Sequence, residues 1–199
     1  MNSGVKHPTT DAGVAVPAVA FSHMGFYVRD IAAMEDFYSR VLGFTVTDRG
    51  NLGPVQLVFL SRDPEEHHQV VLASGRPEGP GFNLINQISF RVEGIAALRH
   101  FYEALAREQA QGRVSELVGV THGNALSLYV RDPEGNRLEL FFDTDWYCEQ
   151  PVREPVDFSQ TNEQIMARAE AVARSLPNFM PRAEWVSKMR ARMQAGVHA

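Results

Sequence analysis

Three side chains able to bind a divalent cation fall at matched places of an internal repeat. The stretch His23 to Tyr38 (HMGFYVRDIAAMEDFY) returns as Gln87 to Tyr102 (QISFRVEGIAALRHFY), so Gln87 stands 64 residues after His23. Arg62-Asp63-Pro64-Glu65 returns 69 residues on as Arg131-Asp132-Pro133-Glu134, and that shift lays Glu139 over Val70. An imidazole, an amide and one carboxylate resemble the facial ligand set that leaves half of an Fe(II) coordination sphere open for substrate and O2. Val70 adds no fourth ligand and keeps that space free. Taken singly, His23 reads as a structural histidine and Gln87 as a partner for backbone groups. Glu139 differs, because a carboxylate inside Arg-Leu-Glu-Leu-Phe-Phe is costly to bury without a metal or a charged partner. The coincidence of all three at symmetric places points to a metal site.

Groups that could move protons lie close by in sequence. His68 precedes Val70 by two residues, so strand alternation directs it to the face of the missing ligand, as a base or proton shuttle. The same alternation turns the adjacent His67 to the opposite face. Tyr129 precedes Glu139 across a hairpin turn and can donate a hydrogen bond to a substrate oxygen or oxyanion. His122, before the same strand, is a further polar candidate at the mouth. His7, His100 and His198 read as exposed.

These side chains need a scaffold, and the repeat supplies one. Phe21 to Val28 is apolar, as a buried strand is; Asp30 can cap a helix with an inward face of Ile31, Met34, Phe37, Tyr38, Val41 and Leu42, ended by Gly43. Strands are predicted at 44–48, 54–61 and 67–73, which makes the unit β-α-β-β-β. Gly75 to Gly81 (GRPEGPG) is a linker. The second unit has a strand at 84–92, a helix at 95–108, a strand at 114–118, and a hairpin of 125–130 with 137–142 around Asp132-Pro133-Glu134-Gly135-Asn136. After Trp146 come an extended connector with Pro151 and Pro155 and two amphipathic helices, 162–175 and 182–194. The tail reads as a packing element, with Phe179, Met180 and Trp185 as a possible apolar lid. The expected organisation is a flexible N-terminal arm (1–20), a paired domain (21–143, modules 21–74 and 82–143) and a connector with C-terminal helices (144–199). The fold class is α+β: two βαβββ modules forming a curved mixed sheet around one cavity, plus the helical tail.

Composition narrows the partners. With 24 acidic and 19 basic residues the net charge is −5, and the absence of a Lys/Arg run excludes nucleic acid. No apolar stretch reaches the length that spans a bilayer, and Ala12 to Ala20 is too short, and too broken by Pro17, for a secretion signal. One cysteine, Cys148, excludes an internal disulfide framework, so a cytoplasmic location is expected.

The stretch His23-Met24-Gly25-Phe26-Tyr27-Val28, followed by Phe37-Tyr38 and Leu42-Gly43-Phe44, and the stretch Tyr129 to Leu140 (YVRDPEGNRLEL) resemble the vicinal oxygen chelate superfamily. That superfamily includes glyoxalase I, fosfomycin and bleomycin resistance proteins and type I extradiol dioxygenases. The resemblance covers residues 21 to 143 and is nearest to single-domain extradiol dioxygenases. It implies His23, Gln87 and Glu139 as metal ligands, His68 as the catalytic histidine, Tyr129 as the active-site tyrosine, and His122 near the place of a second catalytic histidine. Gln87 departs from the extradiol pattern, which has histidine there, although glutamine serves as a ligand elsewhere in the superfamily. The implied activity is Fe(II)-dependent extradiol cleavage of a catechol-type aromatic, with a small aromatic substrate and O2 as partners and, by analogy, a homo-oligomeric state. Two alternatives are another metal-dependent lyase or isomerase, with Val70 against the glyoxalase type, and a non-catalytic binding or resistance protein. Gln87 suits the binding protein; His68 and Tyr129 argue against it.

Overall fold

Each repeat folds as the sequence predicts, strand then helix then three strands, and the computed structural model describes residues 23–63, 66–78 and 85–194. The expected N-terminal arm, the Pro64-Glu65 turn and most of the linker lie outside the described residues. β1 (Met24–Val28) leads into α1 (Ile31–Asp36), whose cap is the Asp30 carboxylate accepting from Ala33 N–H at 2.9 Å. The helix continues as a π-helical turn (Phe37–Val41), in which Leu42 N–H reaches back to the Phe37 carbonyl. Phe37 and Tyr38 are both buried there, and Gly43, at φ +72, ends the turn in the left-handed region. β2 (Thr45–Leu52), β3 (Val55–Ser61) and β4 (Val70–Ser74) complete a sheet ordered β1-β4-β3-β2, with β1 parallel to β4.

The second unit gives β5 (Ile88–Arg91), α2 (Ile95–Ala110), β6 (Ser115–Thr121), β7 (Ala125–Arg131) and β8 (Arg137–Asp143). The expected mixed sheet is therefore realised as two sheets, one of four strands and one of five, the fifth coming from the tail. Alternation sends Phe26, Val28, Val70 and Leu72 of one sheet and Ile88, Leu138 and Leu140 of the other into the apolar core.

Pairing corrects the overlay of the closing strands. Met24 pairs with Val70 and Ile88 pairs with Leu138, and Met24 and Ile88 are equivalent in the repeat. Val70 therefore corresponds to Leu138, and the counterpart of Glu139 is Val71, one residue later than the sequence offset indicates. Val71 is apolar too, so the fourth ligand position is still filled by hydrocarbon.

The modules meet along aromatic and charged contacts. Phe90 lies 5.5 Å from Phe44 and 6.4 Å from Tyr38, ring to ring. Arg40 of the first module pairs with Glu108 of the second at 2.8 Å, and Glu134 accepts from the backbone N–H groups of Arg29 and Asp30. Between the modules lies a cavity of about 930 Å³, lined by Met24, Phe44 and Val70 on one side and Gln87, Ser89 and Phe101 on the other.

The tail holds β9 (Trp146–Tyr147), β10 (Glu154–Val156), α3 (Asn162–Arg174), β11 (Met180–Pro181) and α4 (Arg182–Gln194). β10 adds antiparallel to β6, with Val156 opposite Gly119. A Cβ on Gly119 would stand 2.7 Å from the Phe158 ring and 2.8 Å from the Val156 carbonyl, so only glycine admits this approach. Phe158 stacks on Tyr102 at 4.7 Å, and Arg99 donates to the Phe158 and Gln160 carbonyls. Of the residues read as an apolar lid, Trp185 stacks on Tyr147 and Phe179 lies under the Arg174 guanidinium, both contacts within the tail. No helix among the described residues is long and apolar enough to cross a membrane.

Candidate active site

Glu139 is the centre of the site. On β8 its neighbours Leu138 and Leu140 face the core, so Glu139 points to the opposite face and is still only 7% exposed. Four side chains converge on it. Oε1 accepts from Ser127 Oγ at 2.8 Å and from the Tyr129 hydroxyl at 2.7 Å; Oε2 accepts from Ser89 Oγ at 2.6 Å and Gln87 Nε2 at 2.8 Å. Strand geometry explains the convergence, because Tyr129 pairs directly with Glu139 and Ser89 pairs with it from the other side. Two carboxylate oxygens offer about four lone-pair sites, and four neutral donors fill them. The burial cost that the sequence suggested a cation must offset is met by hydroxyls and an amide.

Tyr129 is bound on two sides. His122 Nδ1 lies 2.6 Å from the Val152 carbonyl, which can only accept, so Nδ1 carries a proton and donates. Nε2 then faces the Tyr129 oxygen at 2.9 Å, and the hydroxyl proton stands between that nitrogen and Glu139. Burial, then the bond to Glu139, pushes the phenol up to about 12, so it stays protonated. The Arg137 and Arg153 guanidiniums lie 4.6 and 5.2 Å from the Tyr129 ring centroid.

The remaining histidines gather on the first module. His23 and His68 meet ring to ring at 4.3 Å, Phe59 lies 5.3 Å from His68, and the Nδ1 atoms of His67 and His68 are 2.8 Å apart. His67 and His68 therefore do not point to opposite faces: residues 66–69 form a bend before β4, and strand alternation does not apply there. Burial first, then neighbouring His23 and His67, holds the His68 imidazole below its ordinary value.

The structure thus brings Gln87, Tyr129, His122 and Glu139 into one hydrogen-bonded set, and His23 and His68 into a separate ring-to-ring contact. Among the described residues, no three His, Cys, Asp or Glu side chains are grouped in a way that could by themselves hold a metal ion. Ser89, Ser127, Arg137 and Arg153 escape the sequence reading. The first three lie two residues from Gln87, Tyr129 and Glu139 on the same strand faces, a period-two signal that was there to be used. Arg153 lies outside the repeat and gives no such signal.

A pair of βαβββ modules with one buried, hydroxyl-bound carboxylate on the closing strand defines the class. Residues 20–140 match the Glyoxalase/Bleomycin resistance protein/Dioxygenase superfamily, and the chain belongs to it. It is 31% identical over 127 residues to Biphenyl-2,3-diol 1,2-dioxygenase 2 of Rhodococcus globerulus, a match spanning 62% of each chain. The chain thus matches less than two thirds of that relative's length. It is 28% identical to the uncharacterized protein YwbC of Bacillus subtilis (strain 168), over 62% of this chain and 98% of that one. Among solved structures, a glyoxylase/bleomycin resistance protein/dioxygenase domain from Frankia sp. EAN1pec superposes with a TM-score of 0.55 at 20% identity, covering 65% of this chain and 95% of the other. A glyoxalase I mutant from Zea mays gives a TM-score of 0.51 at 17% identity over 61% and 45% of the two chains. These two likenesses concern the fold.

Proposed function

We propose that this chain is an Fe(II)-dependent extradiol dioxygenase of a catechol-type aromatic, with His23, Gln87 and Glu139 as metal ligands and His68, Tyr129 and His122 as proton-handling groups. The observation that carries the reading is the Glu139 cluster, a carboxylate fixed beside a protonated phenol that is itself held by an imidazole. The dioxygenase of Rhodococcus globerulus, at 31% identity, supports the same reaction class. Imidazole nitrogen with amide and carboxylate oxygens is a donor set suited to Fe(II) or a similar divalent ion. Gln87 gives its Nε2 to Glu139 and Ser89, which leaves Oε1 as the end able to ligate. Bound Fe(II) would bring a diol and O2 together on one ion.

The chain's own groups divide the proton work. His68, held below its ordinary value, is a free base at neutral pH and can take a proton from a substrate hydroxyl. Tyr129, kept protonated by burial, can turn its one hydroxyl proton from Glu139 to an oxygen on which negative charge develops. His122, anchored by the Val152 carbonyl, orients that hydroxyl. A homo-oligomer in the cytoplasm belongs to the same proposal; light scattering checks the assembly.

One observation favours a second reading, a binding protein without turnover: four neutral donors already satisfy Glu139. Anaerobic purification, iron analysis and assay with 2,3-dihydroxybiphenyl and catechol under air separate the two. Ring cleavage is expected to yield a yellow product from iron-loaded protein, and His68→Phe to retain iron while losing turnover by about a hundredfold or more. Iron-free protein that binds aromatics and converts none of them would establish the binding reading instead.

A further inference from the structure

His122 stands where the sheet does not aim it. It lies in the turn between β6 and β7, its N–H donating to the Ala125 carbonyl at 2.9 Å, so strand alternation does not set the direction of its ring. The connector sets it instead. His122 Nδ1 donates to the Val152 carbonyl at 2.6 Å, Val152 N–H donates to Gln150 Oε1 at 3.1 Å, and Gln150 Nε2 donates back to the His122 carbonyl at 2.7 Å. These bonds close a ring, in which the two ends of one side-chain amide hold both the backbone of His122 and the residue that its imidazole bonds. Each bond in such a chain polarises the next, so losing one loosens the others. Gln150 Nε2 also reaches Asn124 Oδ1 at 3.2 Å, and the opposite amide orientation would set two donors against each other at Val152 N–H. Trp146 Nε1 braces the same turn by donating to the Gly123 carbonyl at 2.7 Å. Gln150 lies beyond the residues 20–140 that match the superfamily, so this clamp belongs to the chain's own tail.

We propose that Gln150 is a positioning residue: it holds His122 in the tautomer protonated on Nδ1 and thereby leaves the Tyr129 hydroxyl proton free to turn. The hydrogen bond made by one ring nitrogen decides the state of the other. With the Val152 carbonyl fixed 2.6 Å from Nδ1, the proton stays there, and Nε2 meets the Tyr129 oxygen at 2.9 Å as an acceptor. Tyr129 then has two acceptors for one proton, Nε2 and the Glu139 Oε1 at 2.7 Å. Once the Val152 carbonyl is released, the ring proton can move to Nε2, which becomes a donor to the phenol oxygen and leaves the hydroxyl proton fixed on Glu139. The tautomer half of the proposal stands on the hydrogen bonds alone; its consequence for turnover rests on the ring-cleavage reading. The connector thus does more than pack, since one amide on it sets the direction of a group in the site.

Long-range proton–nitrogen correlation spectra of the full chain without added metal, at a pH where the imidazole is neutral, read the tautomer directly; His122→Gln assigns the signals. The unmodified protein is expected to show His122 protonated on Nδ1. In Gln150→Ala that fraction falls by about half or more. Gln150→Glu keeps the acceptor for Val152 N–H and loses the donor to the His122 carbonyl, so the fraction falls by less; this near-isosteric variant carries the test if the alanine variant does not fold. With iron, Gln150→Ala is expected to lower kcat for 2,3-dihydroxybiphenyl about tenfold or more, with KM and bound iron changed by no more than about twofold. Protonation on Nε2 in the unmodified protein, or an Nδ1-protonated fraction that neither variant changes, overturns the proposal, and an unchanged kcat beside a shifted tautomer overturns its catalytic half. If the tautomer shifts as expected in a chain that cleaves no diol, the positioning role stands and the ring-cleavage reading falls.

Discussion

Glu139 is held by geometry that a change of one atom disturbs. Replacing it with glutamine turns one acceptor oxygen into a donor amide, and the two donors that faced that oxygen lose their acceptor. We expect Glu139→Gln to lower stability by about 1–3 kcal/mol in chemical denaturation, the cost of leaving buried polar groups unpaired. Phe replacement of His68, at a half-buried position between His23 and Phe59, is expected to leave the denaturation midpoint nearly unchanged. Candidate ligands were legible in the sequence because they sit at repeat-equivalent places. The way Glu139 is satisfied was not, since serines at 89 and 127 look like ordinary strand residues until the pairing of β5, β7 and β8 aims them at one carboxylate. The direction of His67 and His68 is not legible in the sequence for a local reason: the two residues lie in a bend, where strand alternation does not hold.

Elements were legible where periodicity is long and ends are marked. α2 was expected at 95–108 and spans Ile95–Ala110, and the hairpin of β7 and β8 falls around its Asp-Pro-Glu-Gly-Asn turn. Register is a different matter. A sequence offset carries the length of the turn between two strands as well as their pairing, so a one-residue difference moved Glu139 from Val71 onto Val70. The docking of the tail was also hidden, because the glycine that admits it, Gly119, lies on β6 far from the residues it admits. Gly119→Ala is expected to destabilise by about 2 kcal/mol or more, since neither the Phe158 ring nor the Val156 backbone can yield without unpairing β10. Denaturation midpoints measure that loss. Proteolysis within residues 150–160 should become faster in the same variant, as β10 detaches from β6.

At the scale of the whole molecule, a buried carboxylate is one of the contacts that tie the two modules together. Glu108 is only 6% exposed and accepts from Arg113 of its own module and Arg40 of the other. The Arg113 bond, then the Arg40 bond, draws its carboxyl down to about 2 from an ordinary value of 4.5. The folded value lies below the unfolded one, so the stabilisation is complete above about pH 4.5 and is lost as pH falls from there toward 2. Glu108→Gln is expected to cost about 1–2 kcal/mol at neutral pH, discounted for the half-exposed arginines, and to flatten the fall of the melting temperature below pH 5. Pairing of the modules was legible from the duplication itself; the separation of their sheets was not, because edge strands β1 and β5 carry no sequence mark of whether they join. What the paired modules build is tested most directly by equilibrium binding of Fe(II), or of Co(II) as its spectroscopic stand-in, under anaerobic conditions. One ion per chain, lost in Glu139→Gln and weakened in His23→Ala, is the predicted result; equal binding by all three proteins, or none by the unmodified chain, would contradict the account.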